Sequence, residues 1–166
     1  MMPQTFSLTS ALRVVPSWSD DLTTTTVTDS VTALLALALA NGTGNDQANG
    51  FWKDVFSINA SAQASIDLRS LPLNVFGGTG NLSLANVKLV LIENRSSTAG
   101  LSIATSVSNR WTNFAADTLV LPPAGVLYAT APKAGWATTT TNKILSITNN
   151  GAAAASVAAY IVGVKT

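Results

Sequence analysis

The chain has 166 residues, of which only 10% are charged, and its nine basic and eight acidic side chains give a formal net charge of +1. It contains neither histidine nor cysteine, which excludes disulfides, thiolate metal ligands, a thiol nucleophile and an imidazole base. This composition argues against most classes of enzyme, and we predict no catalytic residues, no cofactor and no metal site.

The charge pattern also limits the expected partners. The nine basic residues are scattered singly, so they provide no basic face for a phosphate backbone, and we expect no nucleic-acid partner. No apolar run approaches the length of about 20 residues that a membrane helix needs, and we expect no membrane partner. The charged fraction is well below the roughly 25% of ordinary soluble domains, so electrostatic repulsion between copies is weak and an oligomer is favoured.

The first 22 residues differ in composition from the remainder. Apolar residues are mixed with Pro3 and Pro16, and the threonine-rich stretch that follows favours extended backbone because its side chains branch at Cβ. We predict an extended N-terminal arm over residues 1–22 and a β-sandwich domain over residues 23–166.

Short apolar runs separated by turn residues make up the rest of the chain, as is typical of an all-β sandwich. Leucine alternates with alanine near the end of residues 28–40, which predicts a strand there, and the Gly- and Asn-rich residues 41–50 are predicted as a loop. The run over 87–92 predicts a central strand buried on both faces, and Asn149-Asn150-Gly151 predicts a hairpin turn. The other predicted strands lie near residues 51–58, 66–71, 101–107, 118–121, 126–129, 143–148 and 156–164. We expect about eight strands in an antiparallel β-sandwich.

The acidic residues allow two kinds of carboxylate site besides simple solvated carboxylates. A pair among the eight acidic residues could in principle support glycoside hydrolysis. Asp20-Asp21, or Asn45-Asp46 in the Gly-rich loop, could join backbone carbonyls around a calcium ion. Neither matches the spacing of an EF-hand loop, and solvated carboxylates at turns and strand ends are the favoured interpretation.

The large aromatic residues have two competing interpretations. Tryptophans on the loops of a β-sandwich can stack on sugar rings, but they more often fill the core or anchor an interface between subunits. We favour the core or an interface. The candidate interface residues are Phe6, Leu8, Leu12 and Trp18 in the arm, together with Trp52, Trp111 and Trp136.

A family resemblance extends over roughly residues 25–166. The segments that carry it are Asn41-Gly-Thr-Gly, Gln47-Ala-Asn, Ser65-Ile-Asp-Leu-Arg-Ser-Leu, Val87-Lys-Leu-Val-Leu-Ile-Glu-Asn, Leu119-Val-Leu-Pro-Pro-Ala-Gly-Val-Leu, Ala131-Pro-Lys-Ala-Gly-Trp-Ala and Lys143-Ile-Leu-Ser-Ile-Thr-Asn. In this order they resemble the jelly-roll-type head decoration (cement) proteins of tailed bacteriophages and related tail-tip or fibre virion proteins.

The resemblance implies a jelly-roll-like sandwich without enzymatic activity. It also implies a homotrimer that is made in the host cytoplasm, binds the major capsid protein on the outer surface of the virion and stabilises the shell. Two alternatives remain open: a tail-tip or fibre domain that recognises a host surface glycan, and a free carbohydrate-binding or hydrolytic β-sandwich.

Overall fold

The computed structural model describes residues 6–14, 17–22, 25–30, 33–75, 78–104, 107–115 and 117–166. This part of the chain is all β, without a helix, which confirms the predicted fold class. The strands are β1 (Leu8–Val14), β2 (Ser17–Leu22), β3 (Thr25–Ser30), β4 (Ala33–Asn41), β5 (Gln47–Ala48), β6 (Gly50–Ile58), β7 (Gln63–Asp67), β8 (Leu71–Val75), β9 (Gly78–Leu82), β10 (Leu84–Asn94), β11 (Leu101–Ile103), β12 (Leu119–Leu121), β13 (Val126–Thr130), β14 (Trp136–Ala137), β15 (Ile144–Asn149) and β16 (Ala155–Lys165).

Two sheets form the sandwich. The first has the order β13-β10-β16-β6, with the short β14 also paired to β10, and the second has the order β12-β11-β15-β7. Apolar side chains from both sheets meet in one buried cluster, which is the main core. Representative members are Val90 and Ile92 of β10, Ile161 of β16, Ile103 of β11 and Ile147 of β15.

The strand β10 lies inside its sheet, with β16 on one side and β13 and β14 on the other. Its residues from Val87 to Val90 are all buried, as is Ile92, so the prediction of a central strand buried on both faces is confirmed. The pairing with β16 shifts register beside Gly163, where an added Cβ would lie 2.3 Å from the Asn86 carbonyl oxygen. This close approach of two backbones requires glycine.

A third layer covers part of the outer face of the first sheet. It is a small sheet of order β1-β4-β5. Leu37 and Leu39 of β4 and Ala48 of β5 pack there against Leu89 of β10 and Val162 of β16 in a second buried cluster. The sequence pattern that predicted a strand in this region therefore reflects a real buried face.

The first four strands form two antiparallel pairs. β1 pairs with β4 as far as Val14 with Ala33, and β2 pairs with β3 from Ser17 with Ser30 onward. We call these four strands together the ribbon, β1 with β4 its proximal half, and β2 with β3 its distal half. The boundary predicted at residue 22 coincides with the end of β2.

Three details differ from the sequence predictions. Residues 28–40 contribute to two strands, β3 and β4, rather than one. The sandwich sheets hold nine strands and the smaller sheets hold seven more, against the expected total of about eight, in the described part of the chain. The predicted hairpin at Asn149 is wrong, because β15 and β16 lie in different sheets. The buried Asn149 side chain instead fastens this crossing, donating to the Ile58 and Ala153 carbonyls at 3.0 and 2.8 Å.

Candidate assembly surface

Three rows of side chains run across the outer face of the first sheet. The register between neighbouring strands places them as Thr130-Leu89-Val162-Phe51, Tyr128-Leu91-Tyr160-Lys53 and Val126-Glu93-Ala158-Val55. The ribbon packs on Leu89 and Val162 of the first row and touches Leu91 and Tyr128 of the second. We call the third row the open row.

The open row is apolar at both ends. Val55 is 54% exposed and Val126 is 58% exposed, although each is a β-branched residue on a strand of the sandwich. Phe51, at the end of the first row, is also exposed, and so is Lys53, which lies between Phe51 and Val55 along β6. β6 itself is an edge strand in the described part of the chain. An exposed edge with apolar residues is a surface that proteins commonly cover with a partner.

An ion pair occupies the middle of the open row. The Arg95 guanidinium donates to the Glu93 carboxylate at 2.8 Å. The carboxylate favours the charged form of its partner, so the pKa of Arg95 is raised, with a smaller contribution from Tyr160. The surface therefore combines apolar ends with a charged, hydrogen-bonding centre.

Of the predicted interface residues in the arm, the structure describes the side chains of Phe6 and Leu8. Both are half-buried and pack on the second cluster, so they anchor the ribbon to the chain's own sheet. Nearby, the Tyr128 hydroxyl lies 3.2 Å from the Ser10 hydroxyl. The side chains of Leu12 and Trp18 lie outside the described residues, and their backbones belong to β1 and β2.

The three tryptophans of the predicted interface lie mainly inside the sandwich. Trp52 and Trp111 are buried in the main core, and Trp136 packs against it while half-exposed. Trp52 donates its indole N–H to the Pro72 carbonyl at 3.0 Å. The assignment of Trp52 and Trp111 to an interface is therefore corrected, because neither ring reaches the surface of the chain.

Trp111 is the centre of an aromatic group at one end of the core. Its ring stacks on Phe114 at 5.1 Å between centroids and meets Trp136 edge-on at 6.2 Å. Its indole N–H donates to the Ala137 carbonyl at 2.8 Å. Phe114 and Trp136 are both half-buried, so the outer part of this group is accessible to solvent.

A second polar feature lies where two loops meet β10. The side chain of Lys88 is buried, and its ammonium donates to the carbonyls of Gly44 at 3.4 Å, Pro132 at 3.3 Å and Lys133. Burial lowers the pKa of Lys88, while Asp46 acts in the opposite direction. Lys133 forms an ion pair with Asp46, so the two loops are joined to each other and to β10.

Of the described carboxylates that are candidates for calcium binding or catalysis, Asp46, Asp67 and Glu93 are in ion pairs, and Asp54 and Asp117 are exposed. Asp46 is paired with Lys133, and Asp67 is paired with Lys143 at 2.6 Å. The side chains of Asp20 and Asp21 lie outside the described residues. In the part of the chain that the structure describes, no group of three or more acidic residues could hold a metal ion. Among the same residues, no helix is long and apolar enough to span a membrane.

The sequence predictions missed the open row. Phe51, Lys53 and Val55 alternate with Trp52 and Asp54 along one strand, which predicts a two-faced strand but not which face meets the core. Pairing of β6 with β16 decides this, because it puts Trp52 on the core side. The available signal was the pair of large apolar residues on the face opposite Trp52.

Comparison with models of known protein families and with curated proteins finds no match for this chain.

Proposed function

We propose that this chain is a non-enzymatic structural protein of a virion, a decoration (cement) protein that binds the outer face of the major capsid shell as a trimer and stabilises it. The observation that carries the proposal is the distal half of the ribbon, whose two strands pair only with each other among the described strands. A two-stranded ribbon is marginally stable alone in water, so this element is suited to docking on another protein.

The strand order of the sandwich supports a jelly roll. Eight strands divide into two sheets, β13-β10-β16-β6 and β12-β11-β15-β7. Successive strands β6, β7, β10 and β11 alternate between the two sheets, as do β12, β13, β15 and β16. Two four-stranded antiparallel sheets connected in this manner are the architecture of viral capsid jelly rolls, and they agree with the family resemblance of residues 25–166.

The low charge supports a role in assembly on protein rather than on nucleic acid. Three of the acidic residues, Asp46, Asp67 and Glu93, are neutralised by neighbouring cations. Apolar surface buried against a shell contributes about 25 cal/mol per Å² before the cost of association is subtracted, and attachment at three points raises the effective concentration of each contact. Such a protein would be made in the host cytoplasm and would reside on the outer capsid surface.

The alternative function is a tail-tip or fibre domain that binds a host surface glycan. It is favoured by one observation, the half-exposed Trp136 and Phe114, whose rings lie edge to face at 5.2 Å. Exposed aromatic rings can stack on sugars. Glycan-array binding that disappears in Trp136→Ala would support this alternative over the cement role.

Binding to shells tests the proposed function. Shells of the parent phage that lack this protein are mixed with the purified chain and sedimented, and we expect the chain to enter the pellet at a fixed ratio to the major capsid protein. Decorated shells should also withstand a higher temperature than bare shells. No co-sedimentation at concentrations well above those needed for self-association would contradict the proposal.

A further inference from the structure

We infer that Asp54 closes the free edge of β6 against pairing with β6 of a second copy of this chain. Copies of the chain then do not join by continuing the first sheet across this edge from one molecule into the next. This role of Asp54 concerns the sandwich alone, so it goes beyond the proposed binding to a shell and holds whether or not the chain binds one.

β6 is the longest free edge of the sandwich in the described part of the chain. It has nine residues, whereas the other edge strands have five residues in β7, five in β13 and three in β12. The residues from Lys53 to Val55 are all exposed, as are Phe51 and Ser57 on either side of them, so no described element covers the middle of this edge. A long free edge of this kind is a template for pairing with another chain.

The hydrogen-bond ladder determines which backbone groups of β6 face outward. The Arg95 backbone N–H donates to the Ser156 carbonyl at 2.9 Å, so every second residue of β16 from Ser156 onward directs its backbone groups at β10. The residues between them, including Ala159, direct theirs at β6. Because Ala159 pairs with Asp54, the backbone groups of Asp54 point into the sheet and those of the next residue, Val55, point out of its edge.

The side chain of Asp54 occupies this outward N–H. A carboxylate oxygen of Asp54 accepts the Val55 N–H at 2.8 Å. Since side chains alternate along a strand, Asp54 lies on the same face of β6 as Trp52, which is part of the main core. An inward-pointing charge on an edge strand is one of the features by which proteins prevent edges from pairing. Asp54 therefore supplies both a charge at the edge and an acceptor within the chain for an N–H that a second strand would need.

The position of Asp54 within β6 also opposes a symmetric pairing. It is the fifth of nine residues, so two β6 strands paired antiparallel over their full length by a twofold axis place Asp54 directly opposite Asp54 of the second copy. Like charges in that position are destabilising. Sliding the strands by two residues in either direction places the carboxylate opposite Trp52 or Phe56, both of which pack in or against the main core, where a charge loses its contact with water. The longest registers all meet this carboxylate.

Asp54→Thr tests the inference, because threonine removes the charge and suits an extended strand. Asp117→Thr is the matched control, since it makes the same change of charge at an exposed residue outside the strands. Light scattering over a range of concentrations measures the molar mass of each protein. We expect Asp54→Thr to associate beyond the wild-type oligomer at a concentration lower by about tenfold or more, whereas Asp117→Thr behaves as wild type. An Asp54→Thr variant that associates no further than wild type, or equal association of the two variants, would overturn the inference.

A proline at the next position tests whether the new association uses this edge. Val55→Pro removes the outward N–H, and proline is tolerated on an edge strand where that N–H faces solvent. We expect the double variant Asp54→Thr/Val55→Pro to return to wild-type association. If the double variant is folded by circular dichroism and still associates as Asp54→Thr does, the association uses another surface and the inference fails.

Amide hydrogen exchange of Asp54→Thr gives a readout that does not depend on the folding of the proline variant. We expect the backbone N–H groups of Lys53 and Val55 to exchange more slowly at high concentration than at low concentration, because a second strand would bond them. The same N–H groups in Asp117→Thr should show no dependence on concentration. Protection that appears only on β12 or β13 of Asp54→Thr would place the contact at the other edges and overturn the inference.

Discussion

Lys88 puts a charged group where an apolar side chain would ordinarily lie. Its ammonium is only tolerable there because the carbonyls of Gly44, Pro132 and Lys133 converge on it. Replacing a buried charged residue with an apolar one can leave the free energy of unfolding unchanged when its partners are replaced as well. In this site the partners are backbone carbonyls, which remain after any substitution and would lose their donor.

We therefore expect Lys88→Met to lower the free energy of unfolding by about 1–3 kcal/mol, the cost of leaving buried polar groups unsatisfied. Urea denaturation measures the effect. Lys53→Met is the control, because Lys53 is exposed on β6 and makes no ion pair among the described residues; its effect should stay within about 0.5 kcal/mol. Equal stability of the two variants would mean that the carbonyls find water instead.

The lowered pKa of Lys88 also predicts a pH dependence. In the folded state burial lowers the pKa of Lys88 below its ordinary value of 10.5, although the Asp46 carboxylate opposes this shift. As the pH rises toward 10.5, the unfolded chain holds more protons at this site than the folded chain does. Stability contributed by Lys88 therefore increases with pH in that window.

The measurement is the free energy of unfolding of the wild type minus that of Lys88→Met, followed as the pH approaches 10.5. Subtraction removes the titration of tyrosines and the other lysines, which both proteins share. We expect the difference to grow with pH. A difference that shrinks would mean that the Asp46 carboxylate and hydrogen bonding outweigh burial in the folded state.

Substitution of Trp111 tests whether this residue stabilises the core or an interface between subunits. Trp111→Phe keeps an aromatic ring beside Phe114 and Trp136 but removes the indole N–H that donates to the Ala137 carbonyl. We expect a loss of about 1–3 kcal/mol in the free energy of unfolding, from the unsatisfied carbonyl and the smaller ring. The mass in solution, measured by light scattering, should be unchanged. A change of oligomeric state without loss of stability would show that Trp111 belongs to an interface between subunits.

Among the elements, the third layer is attached to the sandwich through few side chains. Leu39 is buried against Leu89 and Val162, while Leu34 on the same strand is exposed. We expect Leu39→Ala to cost about 2–5 kcal/mol locally and to raise amide hydrogen exchange in β1 and β4 while β11 and β15 keep their protection. Leu34→Ala is the matched control and should change neither. Uniform loss of protection across both sheets would show that the layer unfolds only with the sandwich.

Strands that bury an alternating or continuous apolar face were the elements that the sequence predicted well. β10 and β16 carry such runs, and their predicted ranges fall within the observed strands. What the sequence did not show was pairing. The same period-2 pattern in β4 suits a sandwich strand or a ribbon strand, and only its partner β1 distinguishes them.

The turn at Asn149 illustrates the same limit. Asn-Asn-Gly accepts the backbone angles of a tight reversal, but these residues serve equally well where the chain crosses between sheets. The deciding interactions are the hydrogen bonds of the Asn149 side chain to Ile58 and Ala153. Ile58 is 91 residues away in the chain, so no local pattern contains it.

At the scale of the whole molecule, the candidate surface is defined by what the fold leaves uncovered. The sequence predicted the arm and its partner-binding role, and it named Phe6 and Leu8, which the structure instead packs on the chain's own sheet. Val55 and Val126 were not predicted, because their exposure depends on how far the ribbon extends across the sheet. Two residues 71 positions apart become one surface only through the pairing of β6, β16, β10 and β13.

The sandwich and the distal ribbon should be separable. The described members of the main core all come from residues 52–161, and the ribbon contributes none of them. A variant in which Ser17 to Ser30 is replaced by a short turn should therefore still unfold cooperatively in urea. Its proximal ribbon, with Leu37 and Leu39, stays attached. This variant should lose binding to shells, since it lacks the strand pair to which we assign docking, and denaturation together with sedimentation measures both properties. If removing the segment abolishes cooperative unfolding, the distal half of the ribbon is instead part of the folding unit of its own chain. The sandwich is then not stable without it, and the separate assembly role of the ribbon does not hold.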